Sequence, residues 1–206
     1  VALTKLKRLN ESFSTGIIHV SSVVISSSIP AGTVFSDTQG NQYTNSIAAD
    51  VSNLNATKVV VSPTNSTGIF SVVIDGTTYS VTYQNTTSPS AIVVGLYNEI
   101  QGSAPTSIRL GFPSSTELEI ELIDKSNTMS VVPNPNLEVT EVEVPVVVTA
   151  TRVGQIDPEI GTLNTLVSPV GGIQEVYNYF KLTVGREKET DEELRIRHAG
   201  STQISG

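Results

Sequence analysis

Apolar positions along the chain change period several times, and the changes mark out its elements. Ile17-Ile18-His19-Val20 and then Val23-Val24-Ile25 read as strand, and Pro30-Ala31-Gly32 as a turn. Thr33 to Ser36 is a short strand, Asp37 to Asn41 a turn, and Gln42-Tyr43-Thr44 a returning strand that sets Tyr43 against Phe35. Val59-Val60-Val61 is a further strand. Phe70, Val72 and Ile74 then alternate, as do Tyr79, Val81 and Tyr83; Asp75-Gly76 between them predicts a two-residue hairpin turn, because type I′ geometry needs positive φ at both positions. Ile92, Val93, Leu96, Tyr97 and Ile100 follow at helical spacing, with Ser88-Pro89-Ser90 as the start and Gly102 as the expected C-cap. Glu117 to Leu122 alternates again, with the glutamates expected outward and the aliphatic residues inward. Met129 to Val132 is expected to close that sheet.

Strand patterning resumes from Leu137 through Ala150, after the Pro133-Asn134-Pro135-Asn136 linker. This order predicts an α+β, mainly β fold. A discontinuous β-rich domain, residues 1–61 and 137–206, carries an inserted ββαββ unit, residues 62–136. Near the end, Thr190 and Glu193 form a capping box, and Asp191 and Glu192 lie in the first turn, where the helix dipole favours acid. Glu192–Arg195 and Glu193–Arg197 have the spacing of stabilising pairs along that helix. Leu3, Leu6 and Leu9 suggest one weak amphipathic turn or an arm on a neighbour.

Composition narrows the function classes. Lys plus Arg is 12 and Asp plus Glu is 20, giving a net charge of −8. An acidic chain is a poor partner for nucleic acid, which needs basic groups to neutralise phosphates. The absence of cysteine excludes disulfides and thiolate metal sites. No apolar run has the length of a membrane span. The two histidines, His19 and His198, are far apart and bring no base–nucleophile pattern, so neither reads as catalytic. Glu117, Glu119 and Glu121 read as a solvated or edge-guarding row rather than a cation site, and Asp157 and Glu159 as surface. Gly171-Gly172 lacks the Lys-Ser/Thr of a phosphate loop. No catalytic, cofactor or metal residue is assigned, and no cofactor is expected.

Two ordered segments carry a resemblance. One is Gly161-Thr162-Leu163, Leu166, Pro169-Val170, Gly172-Ile173, Val176, Asn178 and Gly185, ending in Glu189-Thr190-Asp191-Glu192-Glu193-Leu194-Arg195-Ile196-Arg197. The other is Ile29-Pro30-Ala31-Gly32-Thr33 with Phe35, Gly40 and Tyr43-Thr44. Together they resemble the baseplate J-like family of contractile-tailed phages and related injection machines, over about residues 17–60 and 146–197. Val148-Thr149-Ala150 and Gly154 fit the same frame, whereas Gln155-Ile156-Asp157-Pro158 departs from its usual Gly-Asn loop.

The resemblance implies a structural baseplate wedge protein and not an enzyme. It implies partners that are further copies of the chain, as a dimer or ring, and other wedge proteins. The location implied is the virion tail baseplate, after assembly in the host cytoplasm. Under it, Arg195 and Arg197 become candidates for a subunit interface. A start at Val rather than Met, and glycines soon after the last helix begins, suggest a piece of a longer chain. The rival reading from composition is a Ser/Thr/Val-rich secreted or surface adhesin whose inserted unit holds a sugar; it does not account for the two ordered segments.

Overall fold

The computed structural model describes residues 8–103 and 105–203. Strands hold 45% of the chain and two helices 13%, a β-rich α+β fold. The strands are β1 (Phe13–Ser22), β2 (Ser27–Ile29), β3 (Val34–Asp37), β4 (Gln42–Thr44), β5 (Ala49–Val51), β6 (Lys58–Pro63), β7 (Gly68–Ile74) and β8 (Thr77–Tyr83). After helix α1 (Pro89–Ser103) come β9 (Ile108–Gly111), β10 (Leu118–Leu122), β11 (Val131–Pro133), β12 (Leu137–Val153), β13 (Leu163–Leu166) and β14 (Ile173–Tyr177), and the last element is helix α2 (Asp191–Gln203). Leu3 and Leu6 of the expected amphipathic turn lie outside the described residues.

β12 is the spine of a nine-stranded sheet. Along one edge it pairs antiparallel with β1. Along the other it pairs with β6 over its first half and with β4 near its end. Val142, Val144, Val146, Val148 and Ala150 alternate onto one face and are buried there. β4 leads on through β3 to β13, and β1 leads to β14. The two ends of this run meet at Asn178, which is fully buried. The Leu163 amide donates to Asn178 Oδ1 at 3.0 Å, and the Gly161 amide to the Asn178 carbonyl at 3.0 Å. Asn178 Nδ2 donates to the carbonyls of Glu159 (3.1 Å) and Phe180 (3.2 Å). Phe35 and Tyr43 are cross-strand partners, both fully buried, and the Tyr43 hydroxyl donates to Asp37 at 2.9 Å.

The four strands expected in one inserted sheet are divided between two. β7, β8 and β11 form a small sheet, while β9 and β10 extend the large one through β6. The physical reason is a matched apolar row: Leu118 and Ile120 pair with Val61 and Val59, and all four are buried. The Asp75-Gly76 turn is as expected, with φ of 46° and 85°. In α1, Ile92, Val93, Leu96 and Ile100 are buried, and the Ala91 amide donates to Ser88 Oγ at 3.3 Å as an N-cap. Gly102 lies inside the last turn of α1 rather than after it, and α2 runs on through Gly200. Val23-Val24-Ile25 is a turn, not a strand; Ser26 has a φ of 59°, which the extended conformation excludes.

Asn178→Ala leaves the buried Leu163 amide without its acceptor and takes a donor from the Glu159 and Phe180 carbonyls. An orphaned buried group costs about 1–3 kcal/mol, so a loss of about 2 kcal/mol is expected in urea unfolding. A loss under about 1 kcal/mol would show that the seam does not depend on this side chain.

Candidate functional site

Pairing across the large sheet places one polar rung on the face opposite the valines. Arg109 on β9 faces Glu121 on β10, which faces Lys58 on β6, then Glu143 on β12, Ser21 on β1 and Glu175 on β14. The middle of this rung is buried. Glu143 is 4% exposed, Glu121 7%, and Lys125, from the loop after β10, 7%. A row of glutamates therefore does not simply face solvent: Glu121 is the correction, and burial is possible because cations come to it. Lys125 Nζ lies 2.7 Å from Glu121 Oε1 and 2.6 Å from Glu143 Oε1. Thr57 Oγ1 donates to Glu143 Oε1 at 2.7 Å, and the Tyr179 hydroxyl to Glu143 Oε2 at 3.0 Å. Arg109 binds Glu121 through both Nε and a terminal nitrogen. Lys125 Nζ also lies 5.0 Å from the centre of the Tyr179 ring.

His19 completes the cluster. It is 1% exposed, and its Nε2 lies 2.9 Å from the Lys125 carbonyl. Since a carbonyl only accepts, Nε2 carries the proton. Burial is the main influence on the imidazole and pushes its pKa below the ordinary 6.5, with Lys125 acting the same way. The bond to Lys125 and the charge of Glu143 oppose the shift without reversing it. For Glu143, burial alone would raise the pKa, but the hydrogen bonds from Lys125, Thr57 and Tyr179 and the Lys125 charge bring it below its usual value. The Tyr179 hydroxyl is pushed up, first by burial and then by the Glu143 charge. Every charge in the cluster is thus compensated by direct contact, as burial demands. The arrangement fastens the β10–β11 loop, β12, β1 and the segment after β14 at one point.

A second constellation seats α2. Glu189 is 8% exposed and accepts from the Leu9 amide at 2.9 Å and from Arg197 at 2.7 and 2.8 Å. Arg8 reaches Asp191 beside it. Thr190 and Glu193 close the expected capping box in both directions: the Glu193 carboxylate accepts from the Thr190 amide at 2.7 Å, and the Glu193 amide donates to Thr190 Oγ1 at 3.3 Å. Glu193 is engaged there, so Arg197 pairs with Glu189 instead of taking the expected Glu193 partner. Arg195 is 78% exposed and lies 3.6 Å from Glu192, the expected pair. Arg197 bonds first, the Leu9 amide, and the Arg197 and Arg8 charges hold the Glu189 carboxyl near a pKa of about 2.

The remaining candidates are dispersed. His198 lies on exposed α2, far along the chain from His19. Glu117 accepts from Thr140 at 3.0 Å, and Glu119 is half-buried on β10. Asp157 and Glu159 are exposed as expected and both face Lys181, at 3.8 and 3.2 Å. Gly172 has a φ of 88° at the turn into β14. No group of His, Cys, Asp or Glu among the described residues has metal-site geometry. No motif or spacing in the sequence marks Lys125, Thr57 or Tyr179 as part of one cluster with Glu143. The one available signal was Glu143 between valines in a β-branched run; Lys125, inside Asp-Lys-Ser-Asn, reads as an ordinary turn. Compared with known proteins, the chain matches no family model and no curated protein.

Lys125→Met leaves the buried Glu143 carboxylate without its cation and Glu121 with Arg109 alone, and is expected to cost about 3–5 kcal/mol in urea unfolding. Adding Glu143→Gln should recover part of this, giving a coupling of more than about 1 kcal/mol in a double-mutant cycle; strict additivity would contradict the network. For Glu189, the depressed pKa means that its contribution is full above about pH 4.5 and is lost as pH falls through about 2. A carboxyl NMR titration should find that midpoint, and Arg197→Gln should move it up toward 4.5. An unmoved midpoint would remove Arg197 as the cause.

Proposed function

We propose that this chain is a structural component of a contractile-tail baseplate, of wedge type, acting through contacts between subunits. The observation that carries the reading is the pairing of the two segments that resemble the baseplate J-like family. More than a hundred residues apart in sequence, they are neighbours in space: β13 pairs with β3, with Leu163 opposite Asp37 and Leu166 opposite Phe35. The Thr38 amide donates to the Thr162 carbonyl at 2.9 Å, and the Val34 amide to Ser168 Oγ at 3.1 Å.

The individual residues of the resemblance also have mutually dependent positions. Thr33 Oγ1 donates to the Pro30 carbonyl at 2.7 Å and closes the Ile-Pro-Ala-Gly-Thr turn. Asn178 ties Gly161 and Leu163. Glu189 holds Arg197 across the capped start of α2. Gly185 passes so close to the Ser12 and Gly154 carbonyls that a Cβ would lie 2.4 and 2.6 Å from them, which only glycine tolerates. A pattern whose members depend on each other in one fold is less easily a chance match than separate short strings. Under this reading α2, projecting with Arg195 exposed, offers a surface to a neighbouring subunit.

The test is location. In contractile particles purified from the organism that encodes the chain, cross-linking mass spectrometry should join its lysines to other wedge proteins, and an antibody should label the plate end of the tail. Particles without the chain, label only on fibre tips, or strong glycan-array binding by the purified protein would overturn the reading, the last two in favour of an adhesin.

A further inference from the structure

Beyond β14 and the buried Asn178 the chain runs alongside β1 as a strap, residues 179–189, and only then becomes α2. Lys181 pairs with Asp157 and Glu159, Leu182 is buried, and Glu189 binds Leu9 and Arg197; the rest of the strap's hold on β1 is through a few hydrogen bonds. Thr183 exchanges backbone hydrogen bonds with Thr15 (3.0 and 2.8 Å), Arg186 does so with Ser12 (2.9 and 3.1 Å), and the Gly185 amide donates to Ser14 Oγ at 2.8 Å. At its beginning the strap rests on His19. The imidazole meets the Tyr179 ring edge to face at 4.8 Å and the Phe180 ring at 6.2 Å. Nε2–H is committed to the Lys125 carbonyl, so Nδ1 carries the lone pair, and it is buried with no hydrogen-bond partner.

The charged and titratable groups around the ring leave no place for a second N–H. Lys125 already supplies a cation, from the loop after β10. Glu143 on β12 already accepts from Lys125, Thr57 and Tyr179. Glu121 on β10 is taken by Lys125 and Arg109. From β14, Tyr177 stands opposite His19 in register and Glu175 opposite Ser21. We propose that His19 is an acid-sensitive pin for the strap: a proton arriving at its buried Nδ1 loosens residues 179–187 and with them the seating of α2. A protonated Nδ1 would be a buried donor without an acceptor beside a second cation, and both penalties are relieved if Tyr179 and Phe180 lift and admit water. The device is independent of which assembly the chain belongs to.

The sign follows from the burial of the ring. With the folded pKa below 6.5, His19 contributes its full stability above pH 6.5 and loses it as pH falls toward the folded value. Glu143 and Glu189, both held below their ordinary range, stay charged above pH 5. Glu119, raised mainly by burial and then by Glu121, shares the sheet face, so the decisive comparison is a change at His19 itself.

The experiment is hydrogen exchange of the full chain between pH 7.5 and 5, read as protection factors, with an NMR titration of the His19 ring. In the wild type, protection over residues 179–187 should fall by about tenfold while β12 amides keep theirs. The midpoint should coincide with the His19 titration. His19→Gln, whose amide still donates to the Lys125 carbonyl but takes no proton, should abolish the fall. Constant protection in the wild type, an equal loss along β12, a midpoint away from that of His19, or an unchanged fall in His19→Gln would each overturn the proposal. The wild-type measurements decide the matter even if the variant does not fold.

Discussion

Everything in this fold leans on the fact that β12 has both edges occupied. A strand in the middle of a sheet must satisfy two rows of backbone donors and acceptors. Here β1 takes one row, and β6 and β4 divide the other. The strand can be 17 residues long because different partners serve its two halves. Its first half anchors the extension through β6, β10 and β9; its second half anchors the run through β4 and β3 that ends at β13. Val142, Val144, Val146 and Val148 give both halves one continuous apolar face.

The opposite face is where the design is less ordinary. Burying Glu121, Glu143 and Lys125 together is costly in desolvation, and their mutual attraction returns little net stability over an apolar core of the same volume. What the charges add is selectivity of register. A one-residue slip of a strand reverses its faces and would drive Glu143 or Glu121 among valines. Lys125 within 3 Å of both carboxylates therefore penalises misalignment between β6, β10 and β12 more than any apolar contact would. The cluster also recruits Tyr179, so the same contacts that fix the sheet fix the start of the strap.

The sequence is legible wherever the governing chemistry is local. Asp75-Gly76 specifies its turn by backbone conformation alone, and Thr190 with Glu193 specifies a helix start through contacts three residues apart. The spacing of Ile92, Val93, Leu96 and Ile100 fixes which face of α1 is buried. The sequence is not legible where distant partners decide. The alternation from Glu117 to Leu122 shows two faces, but not that β10 would lie on β6, nor that Lys125 would arrive over Glu121. Arg197 could not be assigned to Glu189 by helical spacing, because Glu189 precedes the helix and is pinned by the Leu9 amide from the far end of the chain. Val23-Val24-Ile25 has strand composition, yet the chain must turn there to start β2.

The position of β12 in the chain has a consequence for how the protein comes into being. Its partners β1, β4 and β6 are all synthesised earlier, and among the described residues the strands that β1 pairs with are β12 and the still later β14. During translation β1 therefore waits, unpaired, until more than a hundred further residues have left the ribosome. Closing so distant a contact is slow. In that interval the Ile17-Ile18-His19-Val20 stretch is an open strand edge, free to pair with the wrong partner.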